Sequence, residues 1–369
     1  MGIDVFNELW YTLPQGFFYR FFQVITAIDL FCGAGGLTHG LQRSGINVVA
    51  GYDIEAACRY AYEKNNNAVF IRKSVTDLKV SDFEKHYEGA NVRVLAGCAP
   101  CQTFSSYNKK SKEENLQDER WFLLKSFAKH IRSVLPEIVT MENVPRLVNQ
   151  RVFHDFVDDL NALKYNVSFK VIYCPDYGMP QSRTRLVLLA SRLGSISIIP
   201  PTHEPSNYVT LKDAIGHLPP IKAGEVHPND SLHRSSILSP INLARIRASK
   251  PGGTWKDWPE DLVASCHKKQ SGGSYSAVYG RMTWDKVGST VTTQCTGFGN
   301  GRFGHPEQDR AISLREAAIL QTFPDEYEFW PSQVKLEIRP IARMIGNAVP
   351  VRLGEVVGES IRKHLEELK

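Results

Sequence analysis

Long apolar runs are missing from this sequence. None approaches the roughly 18 residues that a helix needs to cross a bilayer, so a helical membrane protein is excluded and no membrane contact is expected. The first 22 residues are rich in aromatics, but Asp4, Glu8, Pro14 and Arg20 interrupt them. No small-residue cleavage site follows, which argues against a secretory signal. They read as an N-terminal extension, with a helix over residues 5–13, on a cytoplasmic protein. Cysteine is scarce and scattered, seven in 369 residues, which excludes a disulfide scaffold. Internal repeats and low-complexity tracts are absent as well. Charge of one sign is barely in excess. A net charge of +5 and a pI near 8.7 point only weakly to a polyanionic partner. Hydrophobic residues at 42% and charged residues at 22% describe an ordinary globular chain, long enough for one large core and a second, smaller domain.

What is present is an alternation. Residues 24–31 (VITAIDLF), 48–52, 92–96, 138–141, 167–173 and 186–190 are short apolar, strand-like runs. Helical patterns stand between them at 37–42, 56–62 and 121–135. In 151–163 the residues Val152, Phe153, Phe156, Val157, Leu160 and Leu163 trace one face. This rhythm predicts βαβ units and a largely parallel, doubly wound α/β sheet. From about Leu193 the texture changes to proline, glycine, serine and histidine, with one short helical stretch at 242–248. Regular structure returns at Ser313, whose spacing to Glu316 is that of a capping box, with Pro324 halting that helix. A last helix is expected after Gly354, carrying Val357, Ile361, Leu365 and Leu368 on one face. The reading is a large domain over 23–192 and 305–369, interrupted by an irregular domain at 193–304.

The segment Asp29-Leu-Phe-Cys-Gly-Ala-Gly-Gly-Leu37 lies after the first strand and before a helix. Glycines there let the backbone approach an anionic or nucleotide-like ligand at a helix N-terminus. A tight turn that merely packs the helix on the sheet is the plain alternative. The third glycine of a dinucleotide fingerprint is replaced by Thr38, which tilts the reading toward a cofactor without pyrophosphate. Asp53, at the end of the second strand, is placed for ribose hydroxyls, which both cofactor classes carry.

Gly97-Cys-Ala-Pro-Cys-Gln102 lies past another strand on the same carboxyl edge. A buried structural cysteine is the default for Cys101. Zinc binding by Cys98 and Cys101 lacks a second C-x-x-C, and His203 and His217 have no familiar spacing. A deaminase zinc site needs P-C-x-x-C, and Gln102-Thr-Phe breaks it. A nucleophilic thiol is the third reading, and later segments favour it. Glu142 follows a strand end, and alternation places Gln181, Arg183 and Arg185 on one face. Thiol, carboxyl and guanidinium groups would then converge beside a nucleotide-shaped crevice.

The ordered series Asp29–Leu37, Pro100-Cys101-Gln102, Glu142-Asn143-Val144, Gln181-x-Arg183-x-Arg185, Arg315-Glu-Ala-Ala-Ile-Leu-Gln321-Thr-Phe-Pro324 and Gly346-Asn-Ala-Val-Pro350 resembles the DNA (cytosine-5) methyltransferase family, of the prokaryotic restriction–modification type. The resemblance runs from about Val24 to Lys369, the irregular middle excepted. It implies an S-adenosylmethionine-dependent, Rossmann-like methyltransferase domain with a smaller target-recognition domain, acting on double-stranded DNA without a metal. Cys101 is then the nucleophile that adds to C6 of a flipped-out cytosine, because a thiolate attacks well and also leaves. Glu142 holds a proton near N3, and Arg185, Arg183, Gln181 and Gln102 organise the pocket. The same comparison assigns Phe31, Gly33, Ala34, Gly35, Gly36, Asp53, Ile54, Pro100, Leu123, Asn347 and Val349 to the cofactor. One departure stands out: the family's Asp-Ile adenine contact aligns with Ser74-Val75, and Asp77 is displaced by three.

Within the middle domain Trp255, Trp258, Lys268, Lys269 and Tyr275 are candidate DNA contacts, with Gly272-Gly273 suggesting a flexible loop. The tryptophans serve equally well as that domain's small core. A tRNA cytosine-5 methyltransferase is the competing enzyme, but its Cys-Phe-Thr triplet is lacking here. A non-catalytic relative would be expected to have lost Cys101, Glu142 or the glycine loop. A nicotinamide dehydrogenase explains only the glycine loop and Asp53. The resemblance also allows a cognate restriction endonuclease acting on the same site without a stable complex, and it implies a monomer.

Overall fold

The computed structural model describes residues 24–100, 119–269, 273 and 276–368. Its centre is a seven-stranded sheet in the order β3–β2–β1–β4–β5–β7–β6. The strands are β1 (Ile25–Leu30), β2 (Asn47–Asp53), β3 (Val69–Arg72), β4 (Val92–Gly97), β5 (Ile138–Asn143), β6 (Asn166–Tyr173) and β7 (Thr184–Ser191). Strands β1 to β5 run parallel. β7 is inserted antiparallel between β5 and β6. The expected doubly wound α/β sheet is therefore present, with a single reversed strand. Chain order departs in opposite directions from β1 and β4, so a crevice opens above their carboxyl ends.

Period-two alternation decides which side chains meet which helices. Ile28, Leu30, Leu95, Val139 and Leu188 point to one face. There they pack on α4 (Glu119–Val134) and α5 (Arg151–Ala162) through Phe127, Ile131, Phe153 and Phe156. Ala27, Val48, Val94, Ile138 and Leu189 point to the other. They meet α1 (Gly36–Arg43) and the C-terminal helix α10 (Val351–Glu367) through Leu37, Leu41, Leu353, Val357 and Ile361. That last helix begins three residues before Gly354 rather than after it. The reason is a close crossing with α1: a Cβ on Gly40 would meet the Val351 carbonyl oxygen at 2.2 Å, and one on Gly354 the Leu37 oxygen at 2.9 Å. Leu368, placed on the buried face by its spacing, is exposed at the helix end.

The edge strand β3 and helices α2 (Arg59–Asn65), α3 (Val80–Glu84) and α6 (Leu211–Ile215) complete the first two-thirds, with α7 (Pro240–Ala248) covering the expected short stretch. β3 escapes a periodicity reading because only Phe70 of its four residues is buried. β8 (Val226–His227) and β9 (Asp230–Arg234) form a small hairpin. The Ser313 capping box is formed: Ser313 Oγ accepts from the Glu316 amide and Glu316 Oε2 from the Ser313 amide, opening α8 (Leu314–Leu320). α8 stops before Pro324, where Thr322 takes a left-handed φ of 59°. Helix α9 (Ile338–Asn347), unanticipated by the sequence reading, carries the approach to Asn347.

The irregular middle packs in two ways. Leu211, Ile215, Leu232, Met282 and Val291 join α8 and α9 in one core. Ile246, Trp255, Trp258, Phe298 and Ala311 make a small core of their own.

Candidate active site

A cavity of about 480 Å³ occupies the crevice above β1, β2, β4 and β5. Of the residues singled out by sequence, Phe31, Gly33, Ala34, Asp53, Ile54, Pro100, Leu123, Glu142, Arg183, Arg185, Asn347 and Val349 line it. Gly35 and Gly36, also assigned to the cofactor, do not line it. Gly35 takes a φ of 90° to start α1, and a Cβ on Gly36 would collide with the Val349 carbonyl oxygen at 2.2 Å. Their work is to bring the α1 terminus against the C-terminal segment. Cys101 and Gln102 lie outside the described residues; Pro100 precedes them on the cavity wall.

The glycine loop is held to the end of β2 through Asp53. Its Oδ2 accepts from the Gly33 amide at 2.8 Å and its Oδ1 from the Glu55 amide at 2.8 Å. Ile54 beside it is 68% exposed and forms an apolar shelf at the cavity mouth. Ser74 and Val75 line the cavity whereas Asp77 does not. The Asp77 carboxylate accepts from the Thr76 hydroxyl instead.

Asp29 opens the glycine motif, and its side chain is unusual beyond that place in the sequence. It is buried and lines the cavity; Thr38 Oγ1 donates to its Oδ2 at 2.8 Å. Its Oδ1 has no hydrogen-bond partner among the described residues. Burial, reinforced by the nearby Asp53, pushes the Asp29 carboxyl up to about 7 although the Thr38 hydrogen bond pulls the other way. Thr38 thus stands where a dinucleotide fingerprint has glycine because its hydroxyl fixes this carboxyl group.

Glu142 ends β5 buried at the inner wall. Arg185 Nε is 2.8 Å from its Oε1. That oxygen nevertheless receives no aligned hydrogen bond among the described residues, so the contact is an ion pair that leaves acceptor capacity there. On the far side Cys98 Sγ donates to Oε2 at 2.9 Å. Arg183 is fully buried, and burial beside Arg185 pushes its guanidinium down to about 9. It donates to the Val291 and Ala348 carbonyls, joining the middle segment to the C-terminal motif. Gln181 does not share the cavity face with the two arginines. It precedes β7, donates to the Leu320 carbonyl and Gln321, and accepts from the Val291 amide.

A second hollow of about 780 Å³ adjoins the first, with Arg343 of α9 lining both. Arg234, Arg339 and Arg343 line it among Ser, Thr, Gln and Asn side chains, with no Asp or Glu among the described lining residues, although Arg343 is ion-paired with Glu55. The segment carrying Thr293 and Gln294 is pressed on α9, since a Cβ on Gly346 would meet the Thr292 carbonyl carbon at 2.3 Å. Ile237 at its rim is 83% exposed. These residues escaped the sequence reading because α9 and the hairpin before Ile237 were not foreseen. The DNA-contact candidates of the sequence analysis divide. Trp255 and Trp258 are buried; Trp255 stacks on His267 and Trp258 Nε1 donates to Ser249 Oγ. They are core, not contact surface. Lys268 and Lys269 are exposed, while Gly272 and Tyr275 lie outside the described residues. Among the described residues no group of His, Cys, Asp and Glu could hold a metal, and no helix is long and apolar enough to cross a membrane.

Comparison with known proteins identifies the family. The family description C-5 cytosine-specific DNA methylase matches residues 25–363. The Type II methylase M.HgiDII of Herpetosiphon aurantiacus is 54% identical over 349 residues, which is 94% of this chain and 97% of that protein. The Type II methyltransferase M.Eco47II of Escherichia coli is 32% identical, over 94% of this chain and 81% of that one. Among solved structures, a DNA modification methyltransferase encoded within an E. coli prophage superposes with a TM-score of 0.71 at 21% identity, covering 93% of this chain and 99% of that one. The S. pombe Dnmt2 methyltransferase follows the same fold with a TM-score of 0.58 at 17% identity, over 94% of this chain and 99% of its own. The chain belongs to the C-5 cytosine-specific DNA methylase family and is a DNA (cytosine-5)-methyltransferase of the restriction–modification type.

Proposed function

We propose that the enzyme uses S-adenosylmethionine to methylate a cytosine flipped out of a specific duplex site, through a covalent bond between Cys101 and C6. The observation that carries this reading is the convergence of Glu142, Arg185, Asp29 and Asp53 on one cavity at the carboxyl edge of the sheet.

The residues present fit the cofactor. The unpartnered, buried Asp29 Oδ1 suits an ammonium group such as its amino-acid end carries. Asp53 retains lone pairs for ribose hydroxyls, and Ile54 offers an apolar surface to a purine. Ser74 replaces the acidic adenine contact, and Asn347 and Val349 close the pocket from α9 and the turn beyond it. Bound there, the cofactor supplies an electrophilic sulfonium methyl group.

The protein's own groups prepare the base. Cytosine C5 is a poor nucleophile until the Cys101 thiolate bonds to C6 and loads electron density onto the ring. Glu142 donates a proton toward N3 as that charge develops, and Arg185 holds the base while orienting the carboxyl group. Arg183 and Gln181 act from behind, locking the segment at Val291 to the C-terminal motif. No side chain is assigned to removal of the C5 proton; ordered water serves that step equally well.

The target duplex lies along the arginine-lined hollow, where Arg234, Arg339 and Arg343 meet phosphates and Ile237 meets the stacked bases. Residues 193–304 act as the target-recognition domain, built around the tryptophan core, on a monomeric enzyme of the bacterial cytoplasm. Bisulfite sequencing of DNA from cells expressing the protein tests the proposal. It is expected to show 5-methylcytosine at one recurrent short sequence, absent in the Cys101→Ser variant. Unmodified DNA from cells with soluble wild-type protein would contradict it.

A further inference from the structure

The strand-end loops that meet at Glu142 are tied together by a contact that the glutamate's proposed role does not itself require. Cys98, just past β4, donates its thiol hydrogen to Glu142 Oε2 at 2.9 Å. One residue further along each loop, Asn143 Nδ2 donates to the Ala99 carbonyl at 3.1 Å. Both carboxyl oxygens are therefore engaged from opposite sides, Oε1 by Arg185 and Oε2 by Cys98. Cys98 also lines the cavity.

We propose that Cys98 is a positioning residue for Glu142: its thiol holds Oε2 and sets the plane of the carboxyl group against the cytosine ring. The inference rests on the reading of Glu142 as proton donor to N3.

Geometry makes that contact count. Arg185 meets Oε1 as an ion pair that forms no aligned hydrogen bond, so it fixes the place of that oxygen more than the plane of the carboxyl group. The bond from Cys98 Sγ is the aligned side-chain hydrogen bond on Glu142 among the described residues, and with the Asn143–Ala99 bond beside it the two strand ends are held in register. A missing donor would leave the carboxyl group free to rotate away from the base.

Single-turnover rates of methyl transfer to a duplex oligonucleotide, measured with the KM for duplex and the melting temperature, test this. Cys98→Ala is expected to lower the rate about 5–20-fold for want of positioning, with KM and melting temperature nearly unchanged. Cys98→Ser, nearly the same size and still a donor, should recover most of that loss. Rescue by the serine is the signature, because a purely structural role would slow both variants together or move the melting temperature with the rate. Wild-type rates in Cys98→Ala, or equal losses in both Cys98 variants, with Glu142→Gln strongly impaired, overturn the role of Cys98 alone. A Glu142→Gln variant that keeps the wild-type rate overturns the glutamate's role, and that of Cys98 with it.

Discussion

Glu142 and Glu316 are both buried beside an arginine, and their surroundings differ in kind. Glu316 is saturated. Arg310 grips it with two hydrogen bonds of 2.7 Å, the Ser313 amide donates a third, and both partners are sealed from solvent. Although burial alone would raise it, the Arg310 contacts hold the Glu316 carboxyl below the usual range. The nearby His305 is pushed down to about 4 by burial, so it stays neutral near neutral pH. Glu142 is left unfinished: one oxygen has an unaligned ion pair, the other a weak sulfur donor, and a cavity opens in front. A carboxylate that closes a helix is given every partner it can take, whereas the one proposed to exchange a proton keeps capacity for a substrate.

Exchanging the two glutamates for glutamine is the harshest way to break that comparison. Glu142→Gln should lower the methyl-transfer rate by about 10²–10⁴-fold while leaving the melting temperature nearly unchanged. Glu316→Gln should do the reverse. With Arg310 stranded in the core, stability should drop by about 3–5 kcal/mol, and whatever remains folded should turn over normally. Calorimetry and single-turnover assays on both variants read the difference; equal effects on both properties would erase it.

Asp29 sharpens the same contrast, as another buried carboxyl group with an unused oxygen. Because burial raises it to about 7, the free protein holds a proton there below that pH. A ligand ammonium favours the carboxylate, so binding must expel the proton. Affinity for S-adenosylhomocysteine should therefore weaken as pH falls below 7, by up to about tenfold per unit. Asp29→Asn should bind about tenfold more weakly at pH 8 and lose that pH dependence. Titration calorimetry at pH 6, 7 and 8 would show either pattern.

The smallest effect belongs to the arginine-lined hollow. Arg339→Ala should weaken DNA binding several-fold alike on target and non-target duplexes. The slope of log Kd against log salt should shrink by about one. An unchanged slope would remove that hollow from the DNA path.

The sheet and its cavity were legible in the sequence because strand alternation and strand-end motifs are local signals. Asp53 and Glu142 each follow an apolar run that the eye can find, and Asp29 stands near the end of one. What stayed hidden depends on partners distant in the chain. Thr38 reads as a missing glycine until its hydroxyl is seen on Asp29. Gln181 reads as a member of the arginine face until Val291 and Leu320 claim it. The tryptophans look like ligand contacts because their size suits both a groove and a core, and only His267 and Ser249 settle which. The basic hollow gathers residues from β9, α9 and the loop at Thr293, and no linear pattern unites them.

The central claim, a transient bond between Cys101 and cytosine C6, is tested most directly by covalent trapping. A duplex carrying 5-fluorocytosine at the target position blocks the final elimination. Incubated with wild-type protein and S-adenosylmethionine, it should yield a complex that survives denaturing electrophoresis, and peptide mapping should place the adduct on Cys101. Cys101→Ser should bind the same duplex and form none. A wild-type protein that binds and methylates ordinary duplex yet leaves the fluorinated one unattached would contradict the account.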